Sequence, residues 1–132
     1  MSITTAPLPA DDLAGYLEGY PVEITFGDEP AETVFDRYHR PDLVWVNDGL
    51  ALDRERLLAH VRPARKRAVG VDVEVLDALM EGDRVAARYV LTARMRKGRT
   101  LATEIHMFGR LAIDGRLSRV DQITRTLPAD ED

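Results

Sequence analysis

The spacing of apolar residues changes period once along the chain. In PADDLAGYLEGYP, Leu13, Tyr16, Leu17 and Tyr20 fall at i, i+3, i+4 and i+7, one stripe of an amphipathic helix with Asp11 or Asp12 as its cap. Pro21 is expected to end or kink it, and residues 22–26, VEITF, suit helix and strand equally. GDEPAETVFDRYHRPD starts a second helix, capped by Asp28, with Pro30 in the first turn, Val34, Phe35 and Tyr38 inward, and Pro41 as the stop. DLVWVND reads as a short strand closed by Asp48-Gly49. LDRERLLAHVR reads as a third helix, capped by Asp53, with Leu57, Leu58 and Val61 inward and Pro63 as a bend or stop.

From there the period is two. VGVDVEVLDALM alternates, EGD turns, RVAARYVLTARMR is one long strand, Lys97-Gly98 turns, and residues 103–124 supply two more strands around Asp114-Gly115. Helices first and a meander of antiparallel strands afterwards predict an α+β fold, with the helices on one face of a curved sheet.

Composition narrows the function classes. The 132 residues suit one domain, with 1–126 as the folded unit and 127–132 as an acidic, disordered tail. The net charge of −5 argues against nucleic acid and against an anionic membrane surface as partner. Its local exception, Arg65-Lys66-Arg67, reads as a solvated helix end. The absence of cysteine excludes disulfides, thiol nucleophiles and Cys-ligated metals, and fits a reducing cytoplasm. MSITTAPLPADD lacks the features of a signal peptide. The histidines are too far apart for a metal motif, and no phosphate-binding glycine loop occurs, so no metal or cofactor is expected.

Candidate chemistry depends on strand parity, because a one-residue slip moves every side chain to the other face. A two-residue loop at Lys97-Gly98 sets Tyr89 opposite His106, Leu91 opposite Glu104 and Ala87 opposite Phe108. A two-residue loop at Asp114-Gly115 sets His106 opposite Ile123 and Phe108 opposite Asp121. Together they place Glu104, His106, Phe108 and Asp121 on the more apolar face of the long strand, that of Val85, Ala87, Tyr89 and Leu91. Asp121 beside His106 would then form a proton-transfer couple in an apolar setting. A third loop residue at either hairpin would turn the next strand over; Leu111, Ile113 and Leu117 suit such a loop at 114–116. Arg119 or Arg110 could pair Asp121, and Arg125 could face Glu104. His39 and His60 read as surface or core-edge residues.

PDLVW, EGDRVAARY and the late DGRL, within residues 10–125, resemble the nuclear-transport-factor-2-like superfamily, and its SnoaL-like group most. The resemblance implies a cone, in which a strongly bent sheet wraps a long helix around an interior pocket. It also implies homodimers through the outer sheet face, and cofactor-independent acid–base catalysis on small apolar or aromatic molecules. SnoaL-like cyclases use an Asp on the last strand with a His on the preceding one, which maps to Asp121 and His106 as catalytic residues. The position of the ketosteroid isomerase base falls on Asn47, which cannot take a proton but could orient a ligand. Trp45, Asn47, Tyr89, Glu104, Phe108 and Tyr16 are the expected substrate-binding residues.

Two readings follow. One is a cyclase, isomerase, dehydratase or hydrolase acting on a carbonyl-bearing or epoxide substrate. The other is a non-catalytic dimeric binding or assembly module, with His106 and Asp121 outside the pocket and Val90, Ile105, Met107 and Val120 forming a two-fold interface. A weaker third is a partner-docking protein that uses its sheet face.

Overall fold

The computed structural model describes residues 3–128. Three helices, α1 (Leu13–Phe26), α2 (Ala31–Tyr38) and α3 (Arg54–Arg67), accompany six strands: β1 (His39–Asn47), β2 (Leu50–Leu52), β3 (Ala68–Glu81), β4 (Arg84–Met95), β5 (Thr100–Leu111) and β6 (Leu117–Thr126). The strands form one sheet in the order β2-β1-β6-β5-β4-β3, antiparallel except where β1 runs parallel to β6. This is the expected α+β architecture; the parallel contact between the first and last long strands had no local signal.

The helices form where the apolar stripes lie. Asp12 caps α1 by accepting from Gly15 N at 2.9 Å, and Asp53 caps α3 by accepting from Arg56 N at 2.9 Å. Leu13, Tyr16 and Leu17 of α1, Val34, Phe35 and Tyr38 of α2, and Leu58 of α3 are buried in one core with Val85, Ala87, Tyr89, Ile105, Met107, Leu117 and Val120. Neither Pro21 nor Pro63 stops its helix. Tertiary contacts beyond each proline outweigh the lost backbone bond: Ile24 is buried, Glu23 is anchored, and Arg65 donates to Ile24 O at 2.7 Å and to Glu29 O at 2.8 Å. Arg65 is therefore a clamp on the end of α1 rather than a solvated charge. Pro41 lies within β1, where the pairing with β6 breaks between His39 and Val44, the kind of site a strand proline needs.

Loop length decides the faces. At Asp48-Gly49 both residues have positive φ, 51° and 84°, and a two-residue turn joins β1 to β2. A two-residue turn of that kind at Lys97-Gly98 would demand positive φ from Lys97; among the described residues Asp48 is the one non-glycine that adopts it. The chain instead makes a three-residue loop, Arg96-Lys97-Gly98, with Gly98 alone at φ 86°. Met95 N donates to Arg99 O at 2.7 Å and Gly98 N to Met95 O at 2.9 Å. The expected pairing is therefore wrong by one residue: Arg88 faces His106, Val90 faces Glu104, Ala86 faces Phe108, and Tyr89 faces Ile105.

The loop at 113–115 is also three residues, with Gly115 at φ 89°, but a bulge between Arg110 and Leu111 restores the count. His106 thus faces Ile123, and Phe108 faces Asp121, as expected.

A carboxylate anchors the far end of α1. Buried Glu23 accepts from Ala6 N at 2.9 Å and from Arg37 at 2.5 Å, and it takes the Tyr38 hydroxyl as well. Arg37 also grips Glu29, at 2.7 Å. The segment before α1 is held to the core by this group. Replacing it by an amide removes the charge from three hydrogen bonds, so Glu23→Gln is expected to cost about 2–3 kcal/mol in urea unfolding; a change within about 0.5 kcal/mol, the scale of a surface substitution, would show that the carboxylate does not anchor the segment.

Candidate functional site

Parity sorts the expected site residues into two groups. On the inner face, beneath α1, Trp45 pairs with Val120, Asn47 with Gln122, Gln122 with Met107, and Tyr89 with Ile105. On the outer face lie Glu104, His106, Phe108 and Asp121. His106 and Asp121 share a face, as expected, but that face was expected inside; the extra residue of the 96–98 loop puts it outside. Ile105, Met107 and Val120, expected in an outer interface, are buried core residues for the same reason, while Val90 does face outward.

The outer residues are occupied with surface partners. Asp121 takes the Arg119 guanidinium at 2.7 and 3.0 Å, which holds its carboxyl below the usual carboxylate range. His106 meets Glu104 at 3.2 Å, and Arg125 reaches the same carboxylate at 3.3 Å, both lowering the Glu104 pKa. The side chains of His106 and Asp121 are 52% and 46% exposed. Each has its own hydrogen-bond partner, and no hydrogen bond joins one to the other.

The inner face grades from closed to open. Val85, Met107, Leu117 and Val120 are fully covered. Toward the β4–β5 hairpin the inward residues Leu91, Thr103, Gln122 and Thr124 are only half-buried. These lie on β4, β5 and β6, strands flanked on both sides, so water reaches them through an uncovered inner face rather than past a sheet edge. Trp45, Leu57, Val61 and Val73 are half-buried apolar residues packed against the same core, and Val73 pairs with Leu91. Gln122 is one of the polar groups on this face. Its Nε2 donates to Asn47 Oδ1 at 2.8 Å, while its Oε1 is buried with no partner. Exchanging the two amide ends leaves the same position unpaired. A buried acceptor without a donor costs about 1–3 kcal/mol, so it is a place where a ligand or water group is wanted.

Deeper still, Tyr16 and His39 form a closed pair. The His39 Nδ1–H donates to Phe35 O at 2.8 Å, which leaves Nε2 to accept from the Tyr16 hydroxyl at 2.6 Å. Tyr20, Phe35 and Trp45 pack their rings against the imidazole, 4.4–5.8 Å between centroids. Burial pushes the Tyr16 pKa up and the His39 pKa down to about 4. His39 is thus a buried neutral residue rather than the surface or core-edge group expected. Tyr16, expected at a ligand, spends its proton on His39. Sequence reasoning missed Gln122 because its neighbour Asp121 carries the more reactive group; corrected parity singles it out. Among the described residues no three His, Asp or Glu side chains cluster as a metal ion would require, and no helix is long and apolar enough to cross a membrane.

One mixed six-stranded sheet accompanied by three helices is a fold shared with solved proteins of the nuclear-transport-factor-2-like and ketosteroid isomerase-like kinds. Solved structures with this fold include AclR of Streptomyces galilaeus, a suggested hydroxylase, at TM-score 0.69 and 18% identity over 90% of this chain and 81% of that one. IdmH of Streptomyces antibioticus, a suggested polyketide cyclase, matches at TM-score 0.65 and 22% identity over 88% and 91%. A suggested SnoaL-like polyketide cyclase from Jannaschia matches at 0.56 and 18% over 82% and 87%. At these identities the likeness establishes the fold. No protein-family model matches the sequence, and no curated protein is similar to it in sequence.

The buried imidazole gives a pH prediction. His39 titrates near 6.5 when unfolded and near 4 when folded, so between these values the unfolded chain binds the extra proton. Stability is complete above pH 6.5 and falls as pH drops toward 4, by about 2–3 kcal/mol across pH 6.5–4.5. Urea midpoints measured at steps across that window are expected to show the fall in the wild type and a flattened slope in His39→Gln. Equal slopes would mean that His39 is protonated in the fold.

Proposed function

We propose that the protein binds a small, mainly apolar molecule at the open end of the cone, against Trp45, Leu57, Val61, Val73, Leu91 and Tyr89. Gln122 Oε1 would accept from a hydroxyl or N–H of that molecule, with Asn47 holding the amide in place. The buried, unpartnered Oε1 carries this reading. Hydrocarbon supplies the affinity and one oriented acceptor the selectivity, the usual division of labour in such pockets.

The geometry favours binding over acid–base catalysis by the expected pair. A proton shuttle through Asp121 and His106 would have to act on a molecule across the sheet from them. The inward polar side chains of the strands are amides, hydroxyls and an imidazole, the Asp48 carboxylate at the β1–β2 turn is taken up by Thr124, and Tyr16 with its raised pKa is a poor acid. The suggested cyclases among the structural neighbours keep an enzymatic role open to the fold, but the residues here that would run one face the other way.

We further infer that two copies pair through the outer sheet face. Leu79, Phe108 and Ile123 are 71%, 70% and 69% exposed there, a large apolar display for a monomer. The charged residues around them already pair within the chain, as Arg88–Asp77 and Arg119–Asp121 do, so the patch could close on a copy of itself without stranding charge.

Two experiments test these proposals. Trp45 is the only tryptophan, so its emission should respond to 2-naphthol. Gln122→Leu should weaken 2-naphthol about three- to tenfold, the range of one hydrogen bond, while leaving 2-methoxynaphthalene unchanged; an equal loss for both, or silence from Trp45, would remove Gln122 from the site. Separately, light scattering on a sizing column should give a dimer for the wild type and a monomer for Phe108→Lys. A wild-type monomer at high micromolar concentration would refute the pairing.

A further inference from the structure

We propose that the hollow at the tip of the β4–β5 hairpin binds the anionic head of a small amphiphile, a carboxylate or phosphate on an apolar body. The hollow measures about 520 Å³ and is lined by Arg67, Met95, Arg96, Lys97, Arg99 and Leu101. Four cations and two apolar side chains thus surround one concave space. Two elements build it: Arg67 is the last residue of α3, and Arg96 and Lys97 sit in the three-residue turn, with Arg99 just past it. The Arg96 N–H donates to Arg67 O at 2.7 Å and ties the two together.

These four cations line one hollow, and among the described residues none of them has a carboxylate partner; Arg56, Arg62, Lys66 and Arg84 also lack one but do not share such a space. The chain as a whole is acidic, at −5. Nine of its other arginines, Arg37, Arg40, Arg54, Arg88, Arg94, Arg110, Arg116, Arg119 and Arg125, each form an ion pair with a carboxylate. Arg67, Arg96, Lys97 and Arg99 form none among the described residues. Asp72 does not serve them, because Arg94 holds it. A helix end attracts cations, and that would account for Arg67 in the last turn of α3. It does not account for three more cations contributed by a hairpin. Like charges within a Debye length repel, and an anion among them turns that repulsion into binding.

Shape and position name the class of ligand. A concave space of this size suits a small molecule rather than a flat protein or bilayer surface. Guanidinium forks from Arg67, Arg96 and Arg99 suit the paired oxygens of carboxylate or phosphate. Leu101 is paired with Ala93 on the inward row that continues to Leu91 and Thr103, so the apolar body would point along the open inner face. The proposal does not depend on the amide of Gln122.

The test is an amide NMR titration of the full chain with 2-naphthoate, 2-naphthyl phosphate and neutral 2-naphthamide. The two anions should shift the amides of residues 96–99 and bind at least about fivefold more tightly than the amide, with that advantage shrinking in high salt. The tighter of the two identifies the head group. Arg67→Gln with Arg99→Gln should erase the advantage, as should Arg96→Gln with Lys97→Gln, a pair confined to the turn. Equal binding of all three probes, shifts located elsewhere, or anion affinity retained in both double variants would overturn the proposal. Silence of the Trp45 indole with the hairpin still responding would count against the interior ligand site alone.

Discussion

A side chain on a β-strand has two directions and no third, so the turn at Arg96–Gly98 governs what every residue of β5 meets. Gly98 takes the left-handed conformation at φ 86°, and Lys97 is spared it. A third residue enters the loop as a result. Through that residue Ile105 and Met107 enter the core, and Glu104, His106 and Phe108 go to the outer face. β6 follows β5, so Val120 and Gln122 turn inward and Asp121 outward. The bulge after Arg110 matters equally: without it β6 would be turned over, and Asp121 would lie beneath α1 together with Arg119. Two local irregularities, one at each hairpin, together decide that β5 and β6 turn no carboxylate toward the interior.

The covering of this sheet rests on polar groups placed inside. Glu23 ties the N-terminal segment, α1 and α2 together through Ala6, Arg37 and Tyr38. The Tyr16–His39 bond ties α1 to the start of β1. Burying such groups is unfavourable unless each finds its partners, and here both do, which limits the ways α1 can lie on the sheet. Apolar packing alone would allow the helix to slide; the partner list of Glu23 does not. The closed end of the cone is therefore rigidly specified, and the open end is where a polar atom, Gln122 Oε1, is left without one.

Much of the fold was legible in the chain. The stripes Leu13-Tyr16-Leu17 and Val34-Phe35-Tyr38 named the buried helix faces, and Asp12 and Asp53 marked two helix starts. Alternation after residue 68 named the long strands, and the SnoaL-like resemblance pointed to the cone. What stayed hidden was non-local. The prolines at 21 and 63 are strong local breakers, and only contacts from elsewhere carry the helices past them. The parallel pairing of β1 with β6 joins segments some seventy residues apart and leaves no periodic trace. For the site, the pairing of β5 with β6 was readable from Asp114-Gly115 only because a bulge compensated for a loop one residue longer than expected. At Lys97-Gly98 nothing compensated. The physical cue was present all the same: lysine resists positive φ where aspartate tolerates it, so Asp48-Gly49 makes a two-residue turn and Lys97-Gly98 does not.

Charge in the cone is graded by depth. Around the closed core tyrosines are pushed upward and an imidazole downward, held neutral by burial, and the buried carboxylate of Glu23 is matched by Arg37. Next comes the uncharged amide pair of Gln122 and Asn47. Unmatched charge returns at the rim, with the four cations of the hairpin hollow, while on the outer face carboxylates and arginines cancel in pairs. Desolvation orders the groups this way: a neutral amide tolerates half-burial with one bond unmade, and an unpaired guanidinium does not. A ligand lying along the inner face would meet hydrocarbon and a single acceptor at depth and positive charge where it emerges. Such a surface selects for polarity in a molecule twice over, by kind at one end and by sign at the other, with no reactive side chain required in between.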